Sequence, residues 1–269
     1  MPDDRSAAGR GRTRIGAVSY LNTKPLIFCL QRADPALEIV EDLPSRLADR
    51  LAAGELDVAL VPSIELFRQP GSAIVSDACI ASDGPVRSVK LYGRVPPQRI
   101  RTLALDEGSR TSAALARILL KERFAREPEL VRLPIGTPLE AVAADAAMLI
   151  GDRGMCPPEG GFEFIWDLGE EWRVWTGLPF VFALWIARRG ADSGRLAELL
   201  GRARDEGLGR LEEIARRCAP EAGIAVADCL AYFRENLQFR FGPRQRQGLE
   251  LFHELAQRHA LAPAGGPHV

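Results

Sequence analysis

Short runs typical of strands alternate with helical patterns over the first part of the chain. Four runs have the length and composition of strands, namely Ile15–Val18, Glu38–Glu41, Val58–Val61 and Val86–Tyr92. Between them, Pro25–Arg32 and Ser45–Ala53 place apolar residues at helical spacing. Ser45 is a candidate N-cap of the second helix, and Gly54 is a stop signal after it. This alternation predicts an α/β lobe with a mostly parallel sheet.

The pair Pro96-Pro97 marks the start of a second unit of the same kind. Its predicted elements are strands Thr102–Leu105, Ala147–Ile150, Phe164–Leu168 and Leu178–Ala187 and helix Ser112–Phe124. After Arg188 the pattern is helical only, over 194–217, 225–238 and 244–260.

This order predicts a discontinuous first lobe and an inserted second lobe. Residues 14–94 and 187–261 are assigned to the first lobe and 95–186 to the second, so that the chain crosses a hinge twice. Residues 1–13 are predicted to be a disordered leader and 262–269 a disordered tail. Ligands of open α/β sheets bind beyond the carboxyl ends of the strands. We therefore expect those ends to line a cleft between the lobes.

Composition excludes several classes of function. The 269 residues are 46% hydrophobic and 26% charged with a net charge of −1, which does not suggest a nucleic-acid partner. No apolar stretch is long enough to cross a membrane, and we expect a cytoplasmic protein without a membrane partner. The five scattered cysteines and three late histidines lack metal-ligand spacing, so no metal site is expected. Oligomeric state stays open.

A first candidate anion site follows the strand Ile15–Val18. Ser19, Tyr20, Asn22 and Thr23 precede a predicted helix whose first turn holds a proline, and hydroxyls, an amide and helix N–H groups thus meet at one point. The same residue types also cap helices for purely structural reasons. Both interpretations remain open at this point.

A second candidate anion site opens the helix of the second lobe. Ser109, Arg110, Thr111 and Ser112 supply three hydroxyls, more than capping requires, and a guanidinium suited to a carboxylate. The alternative is a simple cap beside a solvated arginine. One such site in each lobe suggests a ligand with two anionic groups.

Two further strand ends carry polar residues that are candidate substrate-binding groups, Ser63 and Asp152. Ser63 follows Val58–Val61, and Asp152 with Arg153 follows Ala147–Ile150. Asp152 and Arg153 either contact the ligand or pair with each other.

Five segments in order resemble the chorismate dehydratases, which open the futalosine route to menaquinone. They are Val18–Leu26, Gly54–Ser63, Ser109–Ser112, Ile150–Arg153 and Trp175–Ala183. The resemblance runs from about Arg14 to about Ala187, and the helical C-terminus matches more loosely. Gly154 departs from the pattern, since relatives usually have alanine there.

The resemblance implies a two-lobed, type II periplasmic-binding-protein-like α/β fold with mixed sheets, a two-strand hinge and a helical C-terminus. It also implies a hydro-lyase that dehydrates chorismate to 3-[(1-carboxyvinyl)oxy]benzoate without a cofactor. In this family the side-chain carboxylate of the substrate has been proposed as the base. Asn22 and Ser88 are carried over as catalytic residues that orient the substrate and its leaving hydroxyl.

Two other functions compete with the enzyme. The main rival is a solute-binding protein for a small dicarboxylate anion, because one fold hosts both kinds of protein. Exported binding proteins carry a secretion signal or a lipid anchor, and neither pattern is present in the sequence. An effector-sensing domain is a weaker third possibility, since no helix-turn-helix segment is evident.

Overall fold

The computed structural model describes residues 12–69, 71–156, 160–187, 191 and 193–263. Its strands are, in chain order, β1 (Arg14–Val18), β2 (Glu38–Asp42), β3 (Val58–Pro62), β4 (Ala73–Ser82), β5 (Val89–Gly93), β6 (Thr102–Asp106), β7 (Glu129–Leu133), β8 (Ala146–Ile150), β9 (Phe164–Asp167), β10 (Phe180–Ala187) and β11 (Gln238–Arg240). Its helices are α1 (Lys24–Ile27), α2 (Leu30–Ala33), α3 (Pro44–Ala52), α4 (Glu65–Arg68), α5 (Thr111–Phe124), α6 (Asp152–Met155), α7 (Leu168–Thr176), α8 (Ser193–Leu208), α9 (Leu211–Cys218), α10 (Val226–Ala231) and α11 (Pro243–Arg258). No helix of these residues is long and apolar enough to span a membrane.

The strands form two mixed sheets. The first has the order β11-β4-β10-β3-β1-β2, in which β1 is parallel to β2 and β3, while β10 is antiparallel to β3 and β4. The second has the order β7-β6-β8-β5-β9, in which β6 is parallel to β7 and β8, while β5 is antiparallel to β8 and β9. We call each sheet with its flanking helices a lobe, the first and the second.

The chain passes from the first sheet to the second at residues 83–88 and returns at 177–179. We call these two segments the chain crossings. They are neighbours, because Phe180 at the start of β10 pairs with Ser82 at the end of β4. β5 belongs to the second sheet and β10 to the first, so each crossing lies one strand earlier in the chain than the predicted boundaries at 94–95 and 186–187.

Three strands were not predicted. The apolar alternation of β4 is broken by Ser76 and Asp77, although β4 is held between β10 and β11. β7 is an exposed edge strand, and β11 is a three-residue strand within the region predicted to be helical only. In each case pairing with a neighbouring strand decides the conformation, and the local pattern does not carry that information.

The helix ends differ from prediction in one functionally relevant place. α3 begins at Pro44, and its cap position is Leu43 without a side-chain cap, so the prediction that Ser45 caps this helix was wrong. The Ser45 hydroxyl instead donates to the Glu107 carbonyl of the second lobe, at 3.0 Å. A residue that looked like a local cap therefore joins the two lobes.

The predicted leader and tail lie largely outside the described residues, which exclude 1–11 and 264–269. Ala262, the first residue of the predicted tail, is 8% exposed and belongs to the main core. The packed chain therefore extends beyond residue 261.

Candidate active site

A narrow cavity, partly open to solvent, lies between the lobes. Its walls follow the carboxyl ends of β1, β3, β6 and β8 and include the first chain crossing and β10. The lining residues are Val18, Tyr20, Asn22, Pro44, Pro62, Ile80, Val86, Ser88, Val89, Gly108, Ser109, Arg110, Thr111, Ser112, Ile150, Gly151, Phe182 and Ala183. Strand ends of both sheets thus meet at one cleft, as the topology requires.

The cavity collects seven of the predicted site residues, namely Tyr20, Asn22, Ser88, Ser109, Arg110, Thr111 and Ser112. The other four do not line it. Ser19 is exposed, and Thr23 is fully buried and donates to Asn22 Oδ1 at 3.3 Å. Ser63 is fully buried and donates to a carbonyl of β10 at 2.7 Å. Asp152 is engaged by the backbone of the first lobe.

Tyr20 reaches from the first lobe across to the second. A Cβ added at Gly151 would lie 2.7 Å from the Tyr20 ring, and one at Gly108 would lie 2.9 Å from its hydroxyl. Glycine at both positions therefore permits this close approach. Burial, together with Asp106 and Asp152, raises the pKa of Tyr20 above its ordinary value, so the phenol stays protonated. Its buried hydroxyl has no partner among the described residues and is a free donor.

Asp152 and Arg153 do not pair with each other. Asp152 Oδ1 accepts the N–H of Leu21 at 3.0 Å, which ties the first lobe to the second. Burial raises the pKa of Asp152, although the Leu21 N–H lowers it. Arg153 binds Asp106 Oδ2 at 3.3 Å and the Thr137 carbonyl at 2.8 Å. Both residues thus hold backbone segments around the cavity.

Ser88 lies on the first crossing, in a loop fixed from β9. Asp167 accepts the N–H groups of Val86 at 2.9 Å and Arg87 at 2.6 Å. Arg87 has a φ of 63°, a left-handed conformation that this carboxylate holds in place. A Cβ at Gly154 would lie 2.5 Å from the Ser88 carbonyl oxygen, so the departure from the family pattern lies directly against this loop.

The Ser88 side chain is held by a residue from the C-terminal region. The hydroxyl of Tyr232 donates to Ser88 Oγ at 2.8 Å, and both residues are 1% exposed. Burial raises the pKa of Tyr232 above its ordinary value, while hydrogen bonding with Ser88 and Asn22 lowers it. Asn22 and Ser88, 66 positions apart in the chain, are therefore brought to one phenol.

The start of α5 forms the opposite wall. The cap position of this 14-residue helix is Arg110, without a side-chain cap, so the first N–H groups face the cavity side without intrahelical partners. Ser109 Oγ has no partner among the described residues, and Ser112 lines the cavity. Thr111 Oγ1 accepts the Ile64 N–H of the first lobe at 3.2 Å. This geometry suits an anion at the helix start.

The Arg110 guanidinium already has two carboxylate partners on the first lobe. It lies 2.7 Å from the exposed Asp49 and 3.3 Å from Glu65, whose side chain is 5% exposed. Arg110 lines the cavity and also ties the lobes together. Arg110 is therefore not the solvated arginine that a simple helix cap would have beside it. Its guanidinium is also already paired with protein carboxylates.

The described lining of the cavity holds one cationic side chain and no carboxylate or imidazole that could act as a base. Among the described lining residues, Arg110 carries the one charged side chain, and none is an aspartate, glutamate or histidine. No group of three or more His, Cys, Asp or Glu within the described ranges could hold a metal ion. The protein side of the site therefore consists of hydrogen-bond donors, a helix N-terminus and apolar walls.

Sequence reasoning missed two residues that shape the site, namely Tyr232 and Asp167. Asp167 directly precedes a helix and is a typical N-cap residue, which its bonds to the N–H groups of Gly169 and Glu170 confirm. Tyr232 gave no local signal, because its partner Ser88 is 144 positions away.

Comparisons with known proteins identify the family of the chain. A family profile described as Menaquinone biosynthesis matches residues 13–258. A chorismate dehydratase from Thermus thermophilus is 32% identical over 259 residues, which cover 89% of this chain and 93% of that protein.

Solved structures show the fold. Protein AF1704 from Archaeoglobus fulgidus superposes with a TM-score of 0.73 at 14% identity, covering 92% of this chain and 97% of that one. The aliphatic sulphonate binding protein SsuA from Escherichia coli superposes with a TM-score of 0.62 at 15% identity, covering 95% and 89%. The predicted periplasmic-binding-protein-like fold is thereby confirmed. With a family profile and a relative that both span most of its length, the chain belongs to the Menaquinone biosynthesis family.

Proposed function

We propose that this protein is a chorismate dehydratase, a hydro-lyase that converts chorismate to 3-[(1-carboxyvinyl)oxy]benzoate and water. The observation that carries the proposal is the similarity to a chorismate dehydratase, which covers 89% of this chain and 93% of that protein. Asn22 and Ser88, carried over from the family resemblance, lie on one side of this cavity.

The anion-binding features of the cavity support a substrate with two carboxylates. One carboxylate is placed at the start of α5, where backbone N–H groups and the hydroxyls of Ser109 and Ser112 are available. The free hydroxyl of Tyr20 supplies a further donor within the same cavity. The apolar side chains Ile80, Val86 and Phe182 form the surface against which the ring packs.

The chemistry needs a proton acceptor and a group that assists the leaving hydroxyl. In our scheme the ring C–O bond breaks, Asn22 and Ser88 bind the departing hydroxyl, and a ring proton is removed, so that one water leaves and the ring becomes aromatic. The side-chain carboxylate of chorismate takes that proton and passes it to the departing hydroxyl, so that water leaves and the carboxylate is restored. The absence of a carboxylate or imidazole among the described lining residues supports this role for the substrate.

The test is to incubate the purified protein with chorismate, with and without a chelator, and to separate the mixture by chromatography. We expect the aromatic product in both samples, and none with the N22A/S88A double variant. Unchanged chorismate with folded wild-type protein would contradict the enzyme proposal. If chorismate then still raised the melting temperature, the solute-binding alternative would replace it.

We further propose that the enzyme works in the cytoplasm. All five cysteines are free, which supports a reducing compartment.

A further inference from the structure

Tyr232 lies outside the cavity and inside the protein, in contact with both proposed catalytic residues. Its side chain is 1% exposed and does not line the cavity. Its hydroxyl donates to Ser88 Oγ at 2.8 Å and also lies beside Asn22. A buried phenol is expected to have a hydrogen-bond partner, but packing alone does not require a partner in the active site.

The direction of these hydrogen bonds determines where the Ser88 proton can be donated. A phenol has one proton, and Tyr232 donates it to Ser88 Oγ. The serine oxygen thus accepts from Tyr232, and the proton of the Ser88 hydroxyl is left to be donated elsewhere. Ser88 lines the cavity, so the acceptor of this proton can lie in the cavity. Asn22 Oδ1 accepts from Thr23, which leaves the Asn22 N–H groups free to donate. Such a chain of donors strengthens each of its members.

The backbone around Tyr232 is unusual in the same place. Residues Tyr232–Asn236 form a π-helical turn between α10 and β11, and π turns occur frequently at functional sites. At its other end, Asn236 Nδ2 donates to the Pro85 carbonyl at 2.9 Å. The turn is therefore hydrogen-bonded to the loop that carries Ser88 at two positions of that loop, Pro85 and Ser88.

We propose that Tyr232 is a positioning residue that directs the Ser88 proton into the cavity, and that the π turn Tyr232–Asn236 clamps the Ser88 loop. This inference rests on the proposed catalytic role of Ser88. Tyr232 does not reach the substrate and acts through the serine hydroxyl. The C-terminal helical region thereby takes part in the reaction through the side chains of Tyr232 and Asn236.

The test is a double-mutant cycle with Y232F, S88A and the Y232F/S88A double variant, measured as kcat and KM for chorismate. We expect Y232F to lower kcat roughly tenfold, the effect of losing one hydrogen bond, with KM unchanged. In the S88A background the same substitution has a much smaller effect, because the bond to Ser88 is already gone and only the contact with Asn22 remains. The matched control is Y92F, which removes another buried tyrosine hydroxyl, one without a partner among the described residues.

A second variant tests the clamp without touching the core. N236A removes the bond to Pro85, and we expect kcat to fall roughly two- to threefold in wild type and not at all in S88A. Wild-type kcat in folded N236A would overturn the clamp, whether or not Y232F folds.

The outcomes separate the inference from the function on which it rests. Wild-type kcat in folded Y232F, or an equal loss in the S88A background, would overturn the role of Tyr232. Full activity of S88A would instead remove Ser88 from catalysis and the inference with it. A wild-type protein that leaves chorismate unchanged would refute the proposed function itself.

Discussion

Replacing Asp167 with alanine removes one carboxylate that accepts four backbone N–H groups. Two of them, from Gly169 and Glu170, begin α7 at 3.1 and 3.2 Å. The other two, from Val86 and Arg87, hold the loop before Ser88 at 2.9 and 2.6 Å. The same side chain thus caps a helix and fixes the first chain crossing.

The size of the effect follows from these bonds. Loss of an N-cap acceptor destabilises by roughly 1 kcal/mol. Each loop bond to a charged acceptor contributes roughly 1.5–3 kcal/mol. Freeing the loop lets Arg87 leave its left-handed conformation and lets water reach the N–H groups, so the bonds do not add fully. We expect D167A to lower stability by about 3 kcal/mol, and D167N by less because its amide oxygen still accepts.

The assay combines thermal unfolding with steady-state kinetics. For a chain of this size, a loss of about 3 kcal/mol lowers Tm by roughly 6–12 °C. Because the loop carries Ser88, kcat should fall as well. The matched control is D145A, since Asp145 accepts the N–H groups of Arg101 and Thr102 at 2.7 and 3.1 Å, away from the cavity.

The comparison between the two variants tests whether the Asp167 carboxylate positions the Ser88 loop. D145A should lose stability and keep kcat, whereas D167A should lose both. If the kcat of D167A is as high as that of D145A, the Asp167 carboxylate does not position the Ser88 loop. If its Tm is unchanged, the hydrogen bonds described here do not stabilise the fold.

Three further predictions concern the cavity wall. N22A and S88A should stay folded by circular dichroism and each lower kcat by roughly 10²–10³, far more than they weaken binding; near-native kcat in both would remove them from the active site. R110A should raise KM roughly tenfold or more through the loss of a charge-assisted hydrogen bond, and an unchanged KM would restrict Arg110 to joining the lobes. G151A should lower both Tm and kcat/KM, because its Cβ would meet a tyrosine ring at 2.7 Å at a φ of 63°. G136A is its control, with a φ of 86° and no atom within 4 Å, so equal losses in both variants would exclude the ring contact as the cause.

The parts of the fold that depend on local pattern could be predicted from the sequence. β1, β3, β6 and β8 are buried strands that end in polar turns, and this motif alone indicates a cleft at the strand ends. β4 could not be predicted, because its Ser76 and Asp77 break the pattern while pairing with two neighbours maintains the strand. The crossings were placed one strand late because nothing in β5 indicates which sheet it joins.

From local pattern alone, the candidate site was predictable only where its residues are close in the chain, and Ser88 was found through the family resemblance. The run Ser109–Ser112 and the segment after β1 are continuous, and both supply cavity walls. Partners at long range were not predictable. Thr111 binds the backbone of Ile64, and Arg110 faces Asp49 and Glu65, because closure of the lobes creates these contacts.

The place of β10 has a consequence for the order in which the chain folds. The strands of the second sheet form one continuous stretch, residues 89–167, so that sheet can be completed as soon as this stretch has left the ribosome. The first sheet has a gap between β3 and β4 that only Phe180–Ala187 can fill. During synthesis, a chain shorter than about 187 residues therefore exposes two unfilled strand edges, which are sites of aggregation. The inserted lobe becomes the first folding unit, and the sheet that the N-terminus begins is the last to close.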